Sequence, residues 1–210
     1  MDGRFATARG VHAGTHPEAL RRIGAEGVAA AIWERERSAA FAAWIDALPA
    51  PSLPRLRTTV SHDQVAAAVH AACDSAGTPR GTMRDWLAED AAALALMFHA
   101  IMDAPMLQLR LDVIEGNACT RFHLDRVPAR LLCSYRGAGT EYGAARPHEE
   151  PAHVERLRTG AAAVFRGALW PNAETTELLH RSPPVAGTGE TRLLLVLDVA
   201  DGPQSGPPAS

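Results

Sequence analysis

The sequence predicts an α+β fold, in which a mostly helical first half precedes an antiparallel β-sandwich or jelly-roll half. Before Pro105 the apolar residues recur at helical spacing, and after it they alternate with polar ones, beginning at Leu107. Six or seven short strand-like runs then follow with no helix between them. We expect a helical scaffold segment at residues 1–104 and a site-bearing segment at 105–200, together forming one compact domain. The Gly/Pro/Ser-rich tail at 201–210 is expected to be disordered.

Thr15 is a candidate cap for a short helix at residues 17–24, and three longer helices are predicted in the first segment from apolar spacing and from residues that favour helix starts. Ser38 and Ser61 are candidate N-caps for the first two of these, and Thr82 opens the longest, which should reach about Met102. The short apolar run at residues 28–33 fits either a buried strand or a helix start, and its periodicity does not decide between them.

The strands of the second segment are short apolar runs separated by turn residues. They are predicted at residues 107–113, 119–125, 129–135, from 140 onward, 161–166, 178–180 and 191–199. The Gly-x-Gly at 137–139 is expected to form a hairpin turn rather than a phosphate loop, because no helix and no lysine follow it.

The composition excludes several classes of function. All 21 basic residues are arginine, so lysine-dependent phosphate loops, Schiff bases and lysine general bases are ruled out. A net charge of -3 favours neither nucleic acid nor a membrane surface as a partner. Three cysteines without paired spacing indicate a reducing compartment, and no signal peptide or membrane-spanning stretch is evident. We therefore expect a cytoplasmic protein; the sequence does not indicate its oligomeric state.

A His-x-Asp pair, formed by His123 and Asp125, is the strongest candidate for chemistry. On an extended strand the side chains of residues i and i+2 point to the same face. His180 lies on the predicted penultimate strand, where a barrel can bring it opposite the pair. Two histidines and one carboxylate on one face of a divalent metal form the ligand set of non-haem Fe(II) oxygenases. The alternative is that these are ordinary polar residues of strands.

Several motifs of the second half resemble an uncharacterised bacterial family, domain of unknown function 1826. They are Cys119-x-x-Phe-His-x-Asp125, Arg130-Leu-Leu-Cys-x-Tyr-Arg-Gly-x-Gly-Thr-Glu141, Phe165-Arg-Gly-x-x-Trp170 and His180-Arg-Ser-Pro-Pro. The segment around Trp33 is similar too. Membership implies no activity, although the family resemblance suggests a link to zinc homeostasis.

At the level of the fold, the second half resembles the double-stranded β-helix of 2-oxoglutarate/Fe(II) oxygenases. The resemblance implies Fe(II) held by His123, Asp125 and His180, 2-oxoglutarate as cosubstrate, and hydroxylation of an unidentified substrate. It also implies that Arg192, which follows His180 at the start of the last strand, binds the distal carboxylate of the cosubstrate. The serine or threonine that often lies two residues after this arginine is absent, because Leu194 stands there.

The role of Arg192 has an alternative, in which it is an exposed arginine paired with Glu190 or Asp198. Arg130 is the second candidate for the cosubstrate anchor, and Tyr135 is a further candidate for cosubstrate binding. Glu141 is a candidate hydrogen-bond partner for the outer nitrogen of a metal-bound imidazole.

Two rival chemistries use cysteine. Cys119 could complete a closed Cys/His/Asp/His zinc site, but four residues of strand separate it from His123 by about 13 Å. Cys133 could act as the nucleophile of a hydrolase, but it lies in an apolar run with no base beside it. A non-catalytic, cupin-like protein that binds zinc or a small ligand is the alternative to an Fe(II) enzyme.

Overall fold

The computed structural model describes residues 6–200, so the tail predicted to be disordered lies outside the described residues. Within them, three α-helices are present: α1 (Ala39–Ala47), α2 (Val65–Ala76) and α3 (Thr82–Met102). The strands are β1 (Thr7–Ala8), β2 (Gly10–Gly14), β3 (Val28–Trp33), β4 (Leu56–Val60), β5 (Leu107–Ile114), β6 (Ala129–Arg136), β7 (Glu141–Ala144), β8 (Glu155–Arg156), β9 (Ala162–Arg166), β10 (Thr175–Thr176), β11 (Leu178–Arg181) and β12 (Arg192–Val199).

Most helix ends lie at residues that the sequence indicates, although Ser61 precedes a short 3-10 turn (His62–Gln64) and α2 itself begins at Val65. The Ser38 side chain accepts a hydrogen bond from the backbone N–H of Phe41 at the start of α1. Gly77 ends α2 with a φ of 65°, a left-handed conformation that glycine adopts without steric cost. Helix α3 begins at Thr82, as expected. The prediction of these three helices is confirmed.

A seven-stranded mixed sheet joins the two predicted segments, with the strand order β2-β3-β9-β6-β12-β5-β4. Three of its strands, β2, β3 and β4, come from the first hundred residues, so the first half, which was expected to be mostly helical, also contributes to the sheet. The sheet is also not purely antiparallel, because β2 and β3 run parallel. Strand β3 was ambiguous in the sequence because both of its faces are buried, which removes the alternation that normally identifies a strand.

A smaller antiparallel sheet with the order β11-β7-β8 faces the large one. Its free edge at β11 is extended by a single bridge between His180 and His123. Residues 119–125 were expected to form a strand, but only this bridge is present there, and Cys119 has a φ of 46° that interrupts extended backbone. The site residues of this region therefore lie in the loop between β5 and β6.

The two faces of the large sheet have different roles. One face packs against the helices, and the alternate leucines of β5 and β12, such as Leu109 and Leu195, belong to that core. The other face packs against the small sheet, with Leu132, Leu194 and Val196 among its buried residues. A site between the two sheets can therefore receive side chains from β5, β6, β11 and β12.

Candidate metal centre

His123, Asp125 and His180 lie together between the two sheets. One possible ligand atom from each side chain can be chosen so that all three lie within 4.8 Å of one another. Paired backbone hydrogen bonds of 3.1 Å between His123 and His180 align the loop with β11. The predicted ligand set is therefore brought together, although by a loop and a bridge rather than by two regular strands.

The backbone determines which nitrogen of His123 faces the site. Its Nδ1 lies 2.9 Å from the carbonyl oxygen of Arg121. Because a carbonyl only accepts, Nδ1 carries the proton and Nε2 presents its lone pair, 3.6 Å from Asp125 Oδ1. A backbone carbonyl on the outer nitrogen is a common arrangement for a metal-binding histidine.

Two buried polar atoms at this site have no hydrogen-bond partner among the described residues: Asp125 Oδ2 and His180 Nδ1. Asp125 Oδ2 lies 2.9 Å from His180 Nε2, but without hydrogen-bond geometry. Atoms bound at right angles to one ion by bonds of about 2.1 Å would be about 3.0 Å apart. A buried carboxylate oxygen with no donor costs free energy that a bound cation would offset. The three side chains thus fit a divalent metal.

The charge states of Asp125 and His180 also suit a metal. Burial alone would raise the pKa of Asp125, but the adjacent imidazoles of His123 and His180 and the nearby Arg130 hold it well below its ordinary value. Burial lowers the pKa of His180, which favours the neutral imidazole. The adjacent carboxylate of Asp125 raises the pKa of His123, which favours the protonated imidazole when no metal is bound. An ionised carboxylate and a neutral imidazole are the forms that bind metal ions.

Arg130 supports Asp125 and is not a free anion-binding group. Its NH1 lies 2.6 Å from Asp125 Oδ1. Its Nε and NH2 donate to both oxygens of Asp198 at 2.6 and 2.8 Å. The guanidinium is therefore already shared by two carboxylates, and the expectation that Arg130 is the second cosubstrate anchor is not supported by its contacts. Its position instead orients Asp125 towards the two histidines.

Arg192 is fully buried, so the alternative of an exposed arginine is wrong. In the part of the chain that the structure describes, no carboxylate oxygen lies within 4.0 Å of its guanidinium. It donates to the carbonyl of Ala138 at 2.6 Å and to the hydroxyls of Ser182 and Ser134. Burial lowers its pKa to about 10. A desolvated cation without a counterion is a suitable partner for an anion.

Ser182 and Ser134 supply the hydroxyl groups that Leu194, two residues after Arg192, does not have. Ser182 follows His180 closely and Ser134 lies on β6, beside β12 in the sheet. No spacing rule in the sequence connects either residue with Arg192. The pairing of β12 with β6 brings the Ser134 hydroxyl to the guanidinium, and Ser182 reaches it from the end of β11.

Two other candidates, Tyr135 and Glu141, lie away from the three ligands. Tyr135 is buried on the helix-facing side of β6, where its hydroxyl donates to Asp90 on α3 at 2.7 Å, so it does not reach the site. Glu141 pairs with Arg156 and with Arg181 rather than with a histidine. Burial alone would raise the pKa of Glu141, but these ion pairs hold it below its ordinary value.

Neither rival cysteine chemistry is supported by the geometry. Cys119 is exposed at the rim of the cavity and does not join the cluster of three ligand atoms, so the closed zinc set is not formed. Cys133 is buried, and burial raises the pKa of its thiol to about 11. A neutral, inaccessible thiol is a poor nucleophile.

A cavity of about 120 Å³ opens beside the two histidines. One wall is apolar and includes Leu132, Leu194 and Val196, and the polar lining includes Arg110 and Ser182. The three candidate ligands therefore border a space into which a small molecule can reach, as a catalytic centre requires.

A family model described as "Protein of unknown function (DUF1826)" matches residues 14–198. No curated protein matches the chain. No helix among the described residues is long and apolar enough to cross a membrane.

Among solved structures, the chain is similar to the dioxygenase for auxin oxidation 1 of Arabidopsis thaliana in complex with 2-oxoglutarate, with 11% identity, a TM-score of 0.51 and 93% of each chain covered. The rice dioxygenase for auxin oxidation has 14% identity, a TM-score of 0.47 and coverage of 87% of this chain and 75% of that chain. A Pseudomonas putida prolyl-4-hydroxylase has 16% identity, a TM-score of 0.45 and coverage of 89% and 99%. At such identities the first of these likenesses supports a double-stranded β-helix fold and nothing finer.

Proposed function

The chain belongs to the DUF1826 family, for which no activity follows from membership, and we propose that it is an Fe(II)- and 2-oxoglutarate-dependent oxygenase. The main support is the cluster of His123, Asp125 and His180, in which a buried carboxylate oxygen without a donor lies beside a cavity. Three protein ligands on one side leave positions for cosubstrate and oxygen on the other. Bound Fe(II) would supply the oxygen activation that hydroxylation of a carbon–hydrogen bond needs.

The residues of this chain would position the reactants. Asp125 stays ionised and is oriented by Arg130, while His180 stays neutral because it is buried. Arg192, with Ser134 and Ser182, would hold the distal carboxylate of 2-oxoglutarate. This requires the guanidinium to exchange hydroxyl partners for a carboxylate. The fold similarity to a protein whose structure contains 2-oxoglutarate adds support for this cosubstrate.

An open three-ligand site favours this enzyme over the zinc-binding alternative. A structural or storage zinc site is normally closed by four protein ligands. The fourth ligand that the sequence offered, Cys119, is not in the cluster. No observation on the described residues favours a non-catalytic role.

An anaerobic titration tests the proposal. Addition of Fe(II) and then 2-oxoglutarate to the purified protein should produce a metal-to-ligand charge-transfer absorption band, because the keto acid chelates the iron. Admission of air should then convert 2-oxoglutarate to succinate, even slowly and without a second substrate. Tight stoichiometric zinc with neither band nor succinate would contradict the proposal and favour a metal-binding protein.

A further inference from the structure

A pair of arginines lies directly opposite each other on neighbouring strands at the outer end of the site. Arg57 on β4 and Arg110 on β5 are partners in the antiparallel register. Side chains of such partners point to the same face of the sheet, and like charges directly opposite are destabilising. The Leu109 and Leu111 neighbours of Arg110 face the helices, so both arginines lie on the face that bears the metal centre.

The polar groups of Arg110 are only partly satisfied by the protein. Its Nε is buried and has no hydrogen-bond partner among the described residues. Its terminal nitrogens lie 3.4 Å from Asp198 and 3.7 Å from Asp112. Both distances are long for an ion pair, and the Asp198 carboxylate is already bound by Arg130 at 2.6 and 2.8 Å. Arg110 therefore has donor capacity left for a ligand.

Arg57 has even fewer partners. It is exposed, and within residues 6–200 no carboxylate oxygen lies within 4.0 Å of its guanidinium. It lines a groove of about 520 Å³ that shares Asp112, Ile114 and Ala118 with the cavity beside the metal ligands. Arg110 lines that cavity. A molecule lying in the cavity could therefore reach both arginines at its outer end.

We propose that Arg57 and Arg110 form an anion subsite that binds a carboxylate or phosphate group of the substrate. The remainder of that substrate would be apolar, because Leu132, Leu194 and Val196 form the cavity wall between this subsite and the far end near Ser182. The planar fork of a guanidinium matches an oxyanion through two hydrogen bonds. A bound anion would also offset the repulsion between the two arginines. The assignment of this group to the substrate rests on the proposed function, which places 2-oxoglutarate at Arg192.

Direct binding tests the anion subsite without turnover. The probes are hexanoate and hexyl phosphate, with hexanamide as the neutral analogue of similar shape. Binding is followed by calorimetry and by protection of Cys119, which lies exposed at the cavity rim, against alkylation. The protein is kept free of metal, so the result does not depend on iron. The wild type should bind at least one of the two anions clearly more tightly than hexanamide, and the tighter one indicates a carboxylate or a phosphate substrate.

Two variants and a control assign the effect to the arginines. R110Q should weaken anion binding about tenfold and R57Q about threefold, since Arg57 is exposed and its charge is screened. Neither should change the binding of hexanamide. Because R57Q removes a like-charge neighbour and breaks no ion pair, it should keep or raise the melting temperature. If R110Q does not fold, the inference can therefore still be tested with R57Q. R80Q removes an exposed arginine whose one ion pair within residues 6–200 is with the exposed Asp74, and should bind like the wild type.

The outcomes separate this inference from the proposed function. Binding of no anion by the wild type, or equal affinity for the anions and hexanamide, would overturn the inference. So would unchanged anion affinity in R57Q together with unchanged affinity in R110Q. If R110Q loses affinity for 2-oxoglutarate itself while R192M keeps it, Arg110 is the cosubstrate anchor and the subsite assignment is wrong. Arginine-dependent anion binding without any 2-oxoglutarate turnover would support the subsite and contradict the oxygenase.

Discussion

Replacement of Arg192 by methionine tests whether this buried arginine binds a ligand or only supports the fold. Burial lowers the pKa of Arg192 to about 10. For a basic group, a lowered pKa in the folded protein means that the charged form is destabilised at neutral pH. The shift corresponds to roughly 3 kcal/mol, which a bound carboxylate would offset. The charge of Arg192 thus destabilises the free protein and would stabilise a complex with a bound carboxylate.

Two effects of opposite sign determine the stability of R192M without ligand. Methionine has similar length and no charge, so the variant is relieved of roughly 3 kcal/mol of desolvation cost. It also leaves the Ala138 carbonyl without its donor, which costs about 1–3 kcal/mol. The hydroxyls of Ser134 and Ser182 can turn to other partners, because a hydroxyl both donates and accepts. The free energy of unfolding should therefore change by less than about 2 kcal/mol.

The effect on 2-oxoglutarate should be much larger. Loss of a charge-assisted bidentate contact costs about 2–5 kcal/mol, roughly a thirtyfold or greater loss of affinity. The affinity is measured by calorimetric titration of the Mn(II)-loaded protein, and stability by urea unfolding of the free protein. Metal content should equal that of the wild type. Equal 2-oxoglutarate affinity in R192M and the wild type would refute the reasoning, and a large loss of stability with unchanged affinity would make Arg192 purely structural.

The contacts of His123, Tyr135 and two of the cysteines can each be tested by substitution or labelling. H123A should lose stoichiometric metal by elemental analysis while its circular dichroism is unchanged, and metal retained at wild-type levels would remove His123 from the ligand set. Y135F should lower the free energy of unfolding by about 1 kcal/mol, because the hydrogen bond to Asp90 is lost. Metal content and 2-oxoglutarate affinity should be unchanged, and weaker binding of 2-oxoglutarate would show that Tyr135 contributes to the site. In the native protein Cys119 should react with a thiol reagent at pH 8, whereas Cys133 should not, because burial raises its pKa to about 11 and the thiolate forms only as the pH approaches that value. Rapid labelling of both, located by peptide mass spectrometry, would contradict the burial.

The sequence alone identified the three helices and the three candidate ligands. Helix starts such as Ser38 and Thr82 are local signals, read within a few residues of the chain. His123 and Asp125 were recognisable because few residue pairs at that spacing suit a metal, and His180 was recognised by its place on a late strand. The family was recognisable too, from motifs that span much of the second half.

The strands contributed by the first half could not be predicted in the same way. Strand β3 is buried on both faces and is mostly alanine, so it has no alternation and little β-propensity. Its place in the sheet depends on pairing with β2 and β9, which are distant in the sequence from one another. The strand expected at residues 119–125 is wrong for a different reason. The local sequence pattern is that of a strand, but the fold pairs this segment with β11 only at His123.

The contacts of Arg130, Tyr135 and Arg192 were decided by the tertiary structure. Strand β6 is buried along nearly all of its length on both faces, so the sequence does not reveal which face of it borders the site. Pairing with β12 places Arg130 beside Asp198 and Ser134 near Arg192, and puts Tyr135 on the side of the helices. The sequence determines which side chains are present, whereas the register between distant strands determines which charges are paired, and only a charge left unpaired in the interior is available to a ligand.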